Sequence, residues 1–286
     1  MLKNIEKEEG VIEQLMYGGK INVRFLGPTD DKPNRHIYMV DGKRKTGVTT
    51  IIGIKDKSRP LVIWATELAQ EFLLGKIRKG IEEQDVIDAC RLHTVRKEEA
   101  ATIGDQAHGW IEKYIKGEKP EMPDDPKVLI AINGFLDWVD KHNVKFLSSE
   151  RVVYSKKHDY IGKMDIEAKV NGKLCLVDIK TSNSLYNDYC LQTAAYVKAD
   201  EEEGNRKYSG RWLVRVSKES ETEYLKRMMK KGKTECDPYV AFEAKYLDED
   251  KNNIDRDFKA FLACKELFDW DRQTDFWVIK NKKTET

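Results

Sequence analysis

The sequence predicts a mixed α/β (α+β) fold, and three observations lead there. A β-hairpin is legible at Ile161 to Thr181, helical segments precede and follow it, and the order of helices, strand, hairpin and helix builds a sheet with helices packed on it. The hairpin comes first because its register can be counted. Asn171-Gly172 lies between two alternating segments, and a two-residue type I′ turn needs positive φ at both central positions. Counting outward, Val170 faces Lys173, Lys169 faces Leu174, and Asp165 falls opposite Asp178. Alternation assigns Met164, Ile166, Ala168, Val170, Cys175, Val177 and Ile179 to one side, a core face. Lys163, Asp165, Glu167, Asp178 and Lys180 share the other.

The remaining elements follow in chain order. Ile21 to Leu26 and His36 to Val40 alternate or run apolar, and Asp41-Gly42 supplies another hairpin turn before Lys43 to Thr46, giving a small N-terminal β element. Leu61 to Ile77 carries Ile63, Leu68, Phe72 and Leu73 at helical spacing, Gln84 to Glu99 forms a second helix, and Thr102 to Lys116 a third. His108, Ile111, Glu112 and Ile115 lie along one side of that third helix. Pro120, Pro123 and Pro126 make Gly117 to Pro126 a loop. A helix from Lys127 to His142 leads into the strand Phe146 to Ser155, the hairpin, and the helix containing Gln192. Arg211 to Val216 is the next strand. Glu219 to Asp237 is basic and helical, with Lys226, Arg227, Lys230, Lys231 and Lys233. Tyr239 to Leu247 returns to strand, and Asp257 to Trp270 is an amphipathic helix with Phe258, Phe261, Leu262 and Phe268.

Composition narrows the function. The 286 residues divide into an N-terminal β-hairpin and helical region, 1–100, packed on a core of 101–286 to make one compact unit. With 51 basic and 50 acidic side chains the net charge is +1, so the chain does not coat nucleic acid by bulk charge, and any such contact comes from a local basic groove. Five scattered cysteines without a C-x-x-C pair argue against zinc and iron-sulfur sites. Their odd number, with Cys175 on the core face, points to reduced thiols in a cytoplasmic compartment. Met1 to Lys7 has no apolar h-region and no stretch is long enough to span a bilayer, so the expectation is a soluble protein without a membrane partner. Gly232-Lys233-Thr234 imitates a P-loop fragment but lacks the upstream glycine, so no nucleotide cofactor is expected.

The hairpin also carries chemistry. Carboxylates directly opposite on neighbouring strands have Cβ atoms roughly 5 Å apart and repel. A divalent cation such as Mg²⁺ between Asp165 and Asp178 would compensate, with Lys180 one pleat along on the same face. Taken alone, this face reads more simply as a solvated mixed-charge surface. Tyr189, Gln192 and Tyr196, at i, i+3 and i+7, share a helix face that offers rings and hydroxyls to single-stranded nucleic acid, or else tyrosines lying along a helix edge. His108 by itself is more often a core or surface histidine than a ligand.

A family resemblance decides among these readings. G-x-x-D at Gly162 to Asp165, D-x-K at Asp178 to Lys180 and Q-x-x-x-Y at Gln192 to Tyr196 resemble the nuclease motifs of the PD-(D/E)XK superfamily, in its RecB-like exonuclease branch. Gly104 to His108 resembles the helix that supplies that branch's histidine ligand, and Ser148-Ser149-Glu150 its first core strand. Val48 to Ile52 and Trp64-Ala65 are similar to its N-terminal region, so the likeness runs from about Tyr38 to Tyr196 and extends to stand-alone phage and mitochondrial-genome-maintenance-type exonucleases. Met164 stands where the superfamily has proline, and Asp178 where many members have glutamate.

The resemblance implies a restriction-endonuclease-like core, a central mixed β-sheet flanked by helices, with an N-terminal mostly helical region bearing a small β-hairpin. It implies Mg²⁺ or Mn²⁺ held by His108, Asp165, Asp178 and Ile179, manganese suiting the imidazole better. Asp165, Asp178, Lys180 and Glu150 form the catalytic group, and Tyr189, Gln192 and Tyr196 bind nucleic acid. Glu150 serves a second ion through water, holds a ligand in place, or is simply exposed on a strand. The activity implied is metal-dependent DNA exonuclease action on single-stranded or partly single-stranded ends, with Lys226 to Lys233 making a few phosphate contacts. The alternatives are a structure-selective or restriction-like endonuclease, and a non-catalytic nucleic-acid-binding or assembly protein. DNA and replication or recombination proteins are the expected partners, in a bacterial or phage-infected cytoplasm.

Overall fold

The computed structural model describes residues 10–32, 35–204, 206–217, 220–230, 236–250 and 253–273, with backbone only at 97, 99–105 and 230. Met1 to Lys7, the side chains of Asp105 and Lys230, and the run Lys231 to Thr234 therefore lie outside what is described.

The chain opens as a four-stranded antiparallel sheet, β1 (Val11–Met16), β2 (Ile21–Leu26), β3 (Ile37–Val40) and β4 (Lys43–Lys45), in sequential order. This is larger than the expected small hairpin. The extra strand, β1, places Val11, Ile12 and Leu15 without alternation and buries only Met16, which hides its period. Met16, Ile21, Val23, Phe25, Tyr38 and Val40 pack on Val152, Tyr154 and Ile161 of the next sheet. A bridge between Gly47 and Ile161 ties the two sheets together.

Helices follow: α1 (Val48–Ile52), α2 (Ser58–Lys76), α3 (Glu83–Ile115) and α4 (Pro126–Lys141). α3 fuses the two helices expected over 84–99 and 102–116 and runs unbroken past residues 100 and 101. Ala100-Ala101 sits at that junction, and alanine is the strongest helix former. The N-terminal region thus contains a sheet as well as helices and shares α3 with the core. α4 starts where its letters place it, because the Asp125 carboxylate accepts the Lys127 N–H at 2.8 Å and Pro126 occupies the first turn.

The main sheet is mixed. β5 (Lys145–Ser155), β6 (Tyr160–Val170), β7 (Lys173–Thr181), β8 (Gly210–Val216) and β9 (Phe242–Tyr246) lie in that order. All neighbours are antiparallel except β7 and β8, which are parallel and joined by the crossover helix α5 (Asn187–Gly204). α6 (Glu221–Lys230) and α7 (Asn253–Gln273) complete the chain. Ile166, Ala168, Val170, Cys175, Val177 and Ile179 pack beneath Ile111 of α3 and Phe135 and Trp138 of α4. Met164 and Leu176 pack with Tyr196 of α5, Phe261 of α7 and Val48 of α1 on the opposite side. No described helix is long and apolar enough to cross a membrane.

Helices therefore pack on both faces of the hairpin, so the side of Asp165 and Asp178 is not the solvated surface that the hairpin taken alone suggests. Glu167, assigned to that side, is buried and bonded by Ser148 at 2.9 Å and Arg206 at 2.7 Å. Met164, assigned to the face of Ile166, belongs to the α5 side instead.

Candidate active site

The site begins where two β-ladders open at one level. From the Asn171-Gly172 turn, whose φ values are 49° and 79°, β6 and β7 pair from Val170 with Lys173 to Ile166 with Val177, the counted register. One step further would set Asp165 opposite Asp178, and there the ladder stops. The Asp165 carboxylate instead accepts the Ile179 N–H at 2.8 Å, so a side chain takes the place of a strand carbonyl. On the other edge of β6, Ser149 pairs with Ile166 and Arg151 with Met164, which skips Glu150 and Asp165. Glu150 has φ 54°. A non-glycine residue held there costs roughly 1–2 kcal/mol, and such irregularities re-aim the side chains on either side. Glu150, Asp165 and Asp178 thus occupy one line across three strands, and the alternation of β6 changes face as it crosses that line.

On the α3 side, His108 and Glu112 lie one helical turn apart and face Ser149, Glu150, Asp165 and Ile179 across a cleft of about 10 Å³. That is close to the room one water or a small ion needs, about 10–15 Å³. Glu112 was not among the candidate residues, although its four-residue spacing from His108 was the signal that could have found it. Glu150 is ion-paired with Lys163, and the Lys163 ammonium lies 5.1 Å from the centre of the Phe25 ring. Burial pushes that ammonium below the ordinary lysine value, and Asp165 and Glu112 pull it partly back.

On the α5 side, Asp178 is 0% exposed. Lys180 Nζ lies 2.7 Å from its Oδ2, a charge-assisted contact that leaves Oδ1 without a partner. Burial, helped by the Asp165 charge and opposed by Lys180, pushes the Asp178 carboxyl up to about 7. Burial also works against the Lys180 ammonium, but Asp178 and Asp165 outweigh it and hold that ammonium above its usual value. Its head sits 5.0 Å from the Tyr189 ring centre.

The structure thus brings His108, Glu150, Asp165 and Ile179 to one cleft, and Asp178, Lys180 and Tyr189 to the reverse side of the same opened ladder. Gln192 joins the second group through a 3.0 Å hydrogen bond from its amide to the Tyr196 hydroxyl. Tyr196 corrects an expectation. It is 4% exposed and wedged against Gly162, so its ring belongs to the core and cannot stack on a base. The Tyr/Gln face exists as read, but it points at the sheet, and only Tyr189 and Gln192 keep partial exposure.

An open groove of about 850 Å³ lies between α2, α3 and α6, with Arg59, Trp64, Arg96, Lys226 and Arg227 in its walls beside Glu67, Glu71 and Glu223. Asn183, three residues past Lys180, forms part of its wall. Trp64 is 38% exposed there.

Among the described residues no three His, Cys, Asp or Glu side chains converge into a preassembled metal site. Glu150 is turned to Lys163 and Asp178 to Lys180. The donor set still suits a hard divalent cation, since a buried carboxylate with one unpartnered oxygen, a second carboxylate and an imidazole flank the same ladder opening. No protein-family model matches the chain, and no curated protein matches it significantly.

Proposed function

We propose that this chain is a metal-dependent DNA exonuclease with a restriction-endonuclease-like core, hydrolysing phosphodiester bonds from single-stranded ends. Asp178 carries the reading: a fully buried carboxylate with the Lys180 ammonium 2.7 Å from one oxygen and no partner for the other, one step past the last β6–β7 pair. Taking an ionised carboxylate out of water costs several kcal/mol, which Lys180 offsets in part and a bound divalent cation would offset further. His108 and Asp165 from the α3 cleft, with Ile179 beside them, would hold Mg²⁺ or Mn²⁺, and Asp178 would have to reach the same ion through the ladder opening from the α5 side. When bound, such an ion lends positive charge to a phosphoryl oxygen and lowers the pKa of its bound water.

The chain's own groups account for the rest. Asp165 keeps one oxygen on the Ile179 N–H, which fixes the carboxylate at the strand opening. Lys180 carries a charged ammonium, held between Asp178 and the Tyr189 ring, that can donate to an anionic phosphoryl oxygen or orient a water. Arg59, Arg96, Lys226 and Arg227 supply phosphate contacts along the groove, and Trp64 supplies a ring for a base, the role that Tyr196 cannot fill. A few local contacts suit a chain of net charge +1.

End-labelled linear single-stranded DNA and a covalently closed single-stranded circle, each incubated with Mn²⁺, test this reading. The linear strand should be degraded progressively and the circle spared, with Asp178→Asn and Lys180→Ala both inactive yet folded. Full activity in either variant removes the site. Equal cutting of circles replaces the exonuclease by an endonuclease, and an inert wild-type protein leaves a binding module.

A further inference from the structure

We infer that Lys163 is the resident counter-ion of Glu150 beside the α3 cleft, an ammonium that keeps this carboxylate occupied in the metal-free protein and must release it before a divalent ion can draw on it. This rests on the metal-dependent reading above. Three carboxylates line a cleft with room for about one water, an arrangement that repels itself unless a cation sits among them. For Glu150 that cation is Lys163, two positions before Asp165. Its ammonium is ion-paired with Glu150 and interacts electrostatically with both Asp165 and Glu112. Glu112 has a cation of its own, and the remaining titratable neighbour is turned elsewhere. Lys116 is ion-paired with Glu112 near the end of α3, and His36, which faces Lys163 from the N-terminal sheet, packs edge-on against Phe25.

The neighbourhood also provides the ammonium with somewhere to go. Phe25 presents its ring 5.1 Å from Nζ, and Lys163 is partly exposed, so releasing Glu150 leaves the head over an aromatic face instead of stranding it in apolar surroundings. Release also returns Glu150, held at positive φ beside Asp165, to the cleft as a free carboxylate. An entering cation must outcompete an ammonium already in place. A divalent ion gains roughly twice the Coulomb energy of a monovalent one from the same carboxylates. Lys163 therefore sets a selection against Na⁺ and K⁺ and keeps the empty site folded.

Calorimetric titration of the full chain with Mn²⁺ tests this. Lys163→Met keeps the unbranched stem on Phe25 and removes the charge. It should bind Mn²⁺ at least about tenfold more tightly than wild type, a gain of about 1.4 kcal/mol. Its melting temperature in EDTA should fall and recover on adding Mn²⁺. Lys163→Arg, which keeps the charge, should stay within about threefold of wild type. Lys163→Gln should reproduce the gain and serves if the methionine variant does not fold. Unchanged or weaker Mn²⁺ binding in the uncharged variants overturns the inference. Asp165→Asn separates the two claims: wild-type binding that depends on Asp165 but is indifferent to Lys163 sinks the counter-ion alone, and no Mn²⁺ binding by wild type sinks the metal site with it.

Discussion

Replacing Gly162 with alanine asks what the glycine of the G-x-x-D pattern does. A Cβ built there lies 2.2 Å from Tyr196 Cε1, 2.9 Å from Cδ1 and 3.3 Å from Cζ. Carbon atoms rest at about 3.5–4.0 Å, so one partner must retreat by more than about 1 Å. Tyr196 has little room to do so, since its ring is buried and its hydroxyl is tied to Gln192. Overpacking of this kind costs about 1–3 kcal/mol. For a chain of this size each kcal/mol lowers the melting temperature by about 2–4 °C. Calorimetric melts of the metal-free protein should show that drop for Gly162→Ala. Adding Tyr196→Leu, which vacates the ring position, should recover about 1–3 kcal/mol relative to the sum of the single effects. A Gly162→Ala protein melting within about a degree of wild type, or strictly additive single effects, would refute the close approach of β6 and α5.

Two further outcomes follow from the charges. The Asp178 carboxyl is raised from the ordinary 3.8 to about 7, so between those values the folded chain holds a proton that the unfolded chain has released. Stability in EDTA should therefore fall as pH rises from about 4 to about 7 and level off above, and Asp178→Asn should remove that slope; parallel urea-midpoint profiles for the two proteins would contradict the burial of this group. His108→Ala should weaken Mn²⁺ binding by more than the roughly tenfold that loss of an outer partner costs, and should affect Mg²⁺ less; unchanged Mn²⁺ affinity by calorimetry returns His108 to a packing role.

The parts of this fold that can be read from letters are those that a local rule determines. Asn171-Gly172 takes two positive φ angles, so the register of β6 and β7 can be counted from the turn. Asp125-Pro126 marks the start of α4 for the same kind of reason. Where the outcome depends on distant partners, the letters mislead. Glutamate has no special preference for positive φ, so nothing in Ser149-Glu150-Arg151 announces the irregularity that turns Met164 away from the face of Ile166. Spacing put Tyr189, Gln192 and Tyr196 on one face but could not say that the face meets a glycine on a strand. The fusion of two expected helices into α3 escaped because a change in apolar period resembles a break, although Ala100-Ala101 contains no breaker.

That fusion has a mechanical consequence. α3 is 33 residues long, about 50 Å at 1.5 Å per residue, and it carries Arg96 in the groove wall and His108 in the cleft about 18 Å apart on the same rod. A straight helix transmits tilt and roll along its length with little loss, so under the proposed function a strand in the groove and an ion in the cleft would press on two points of one lever. Its phase matters as much as its stiffness. A single residue inserted after Ala101 would roll His108 and Glu112 by about 100° relative to Arg96, turning both out of the cleft while leaving every residue of the sheet in place.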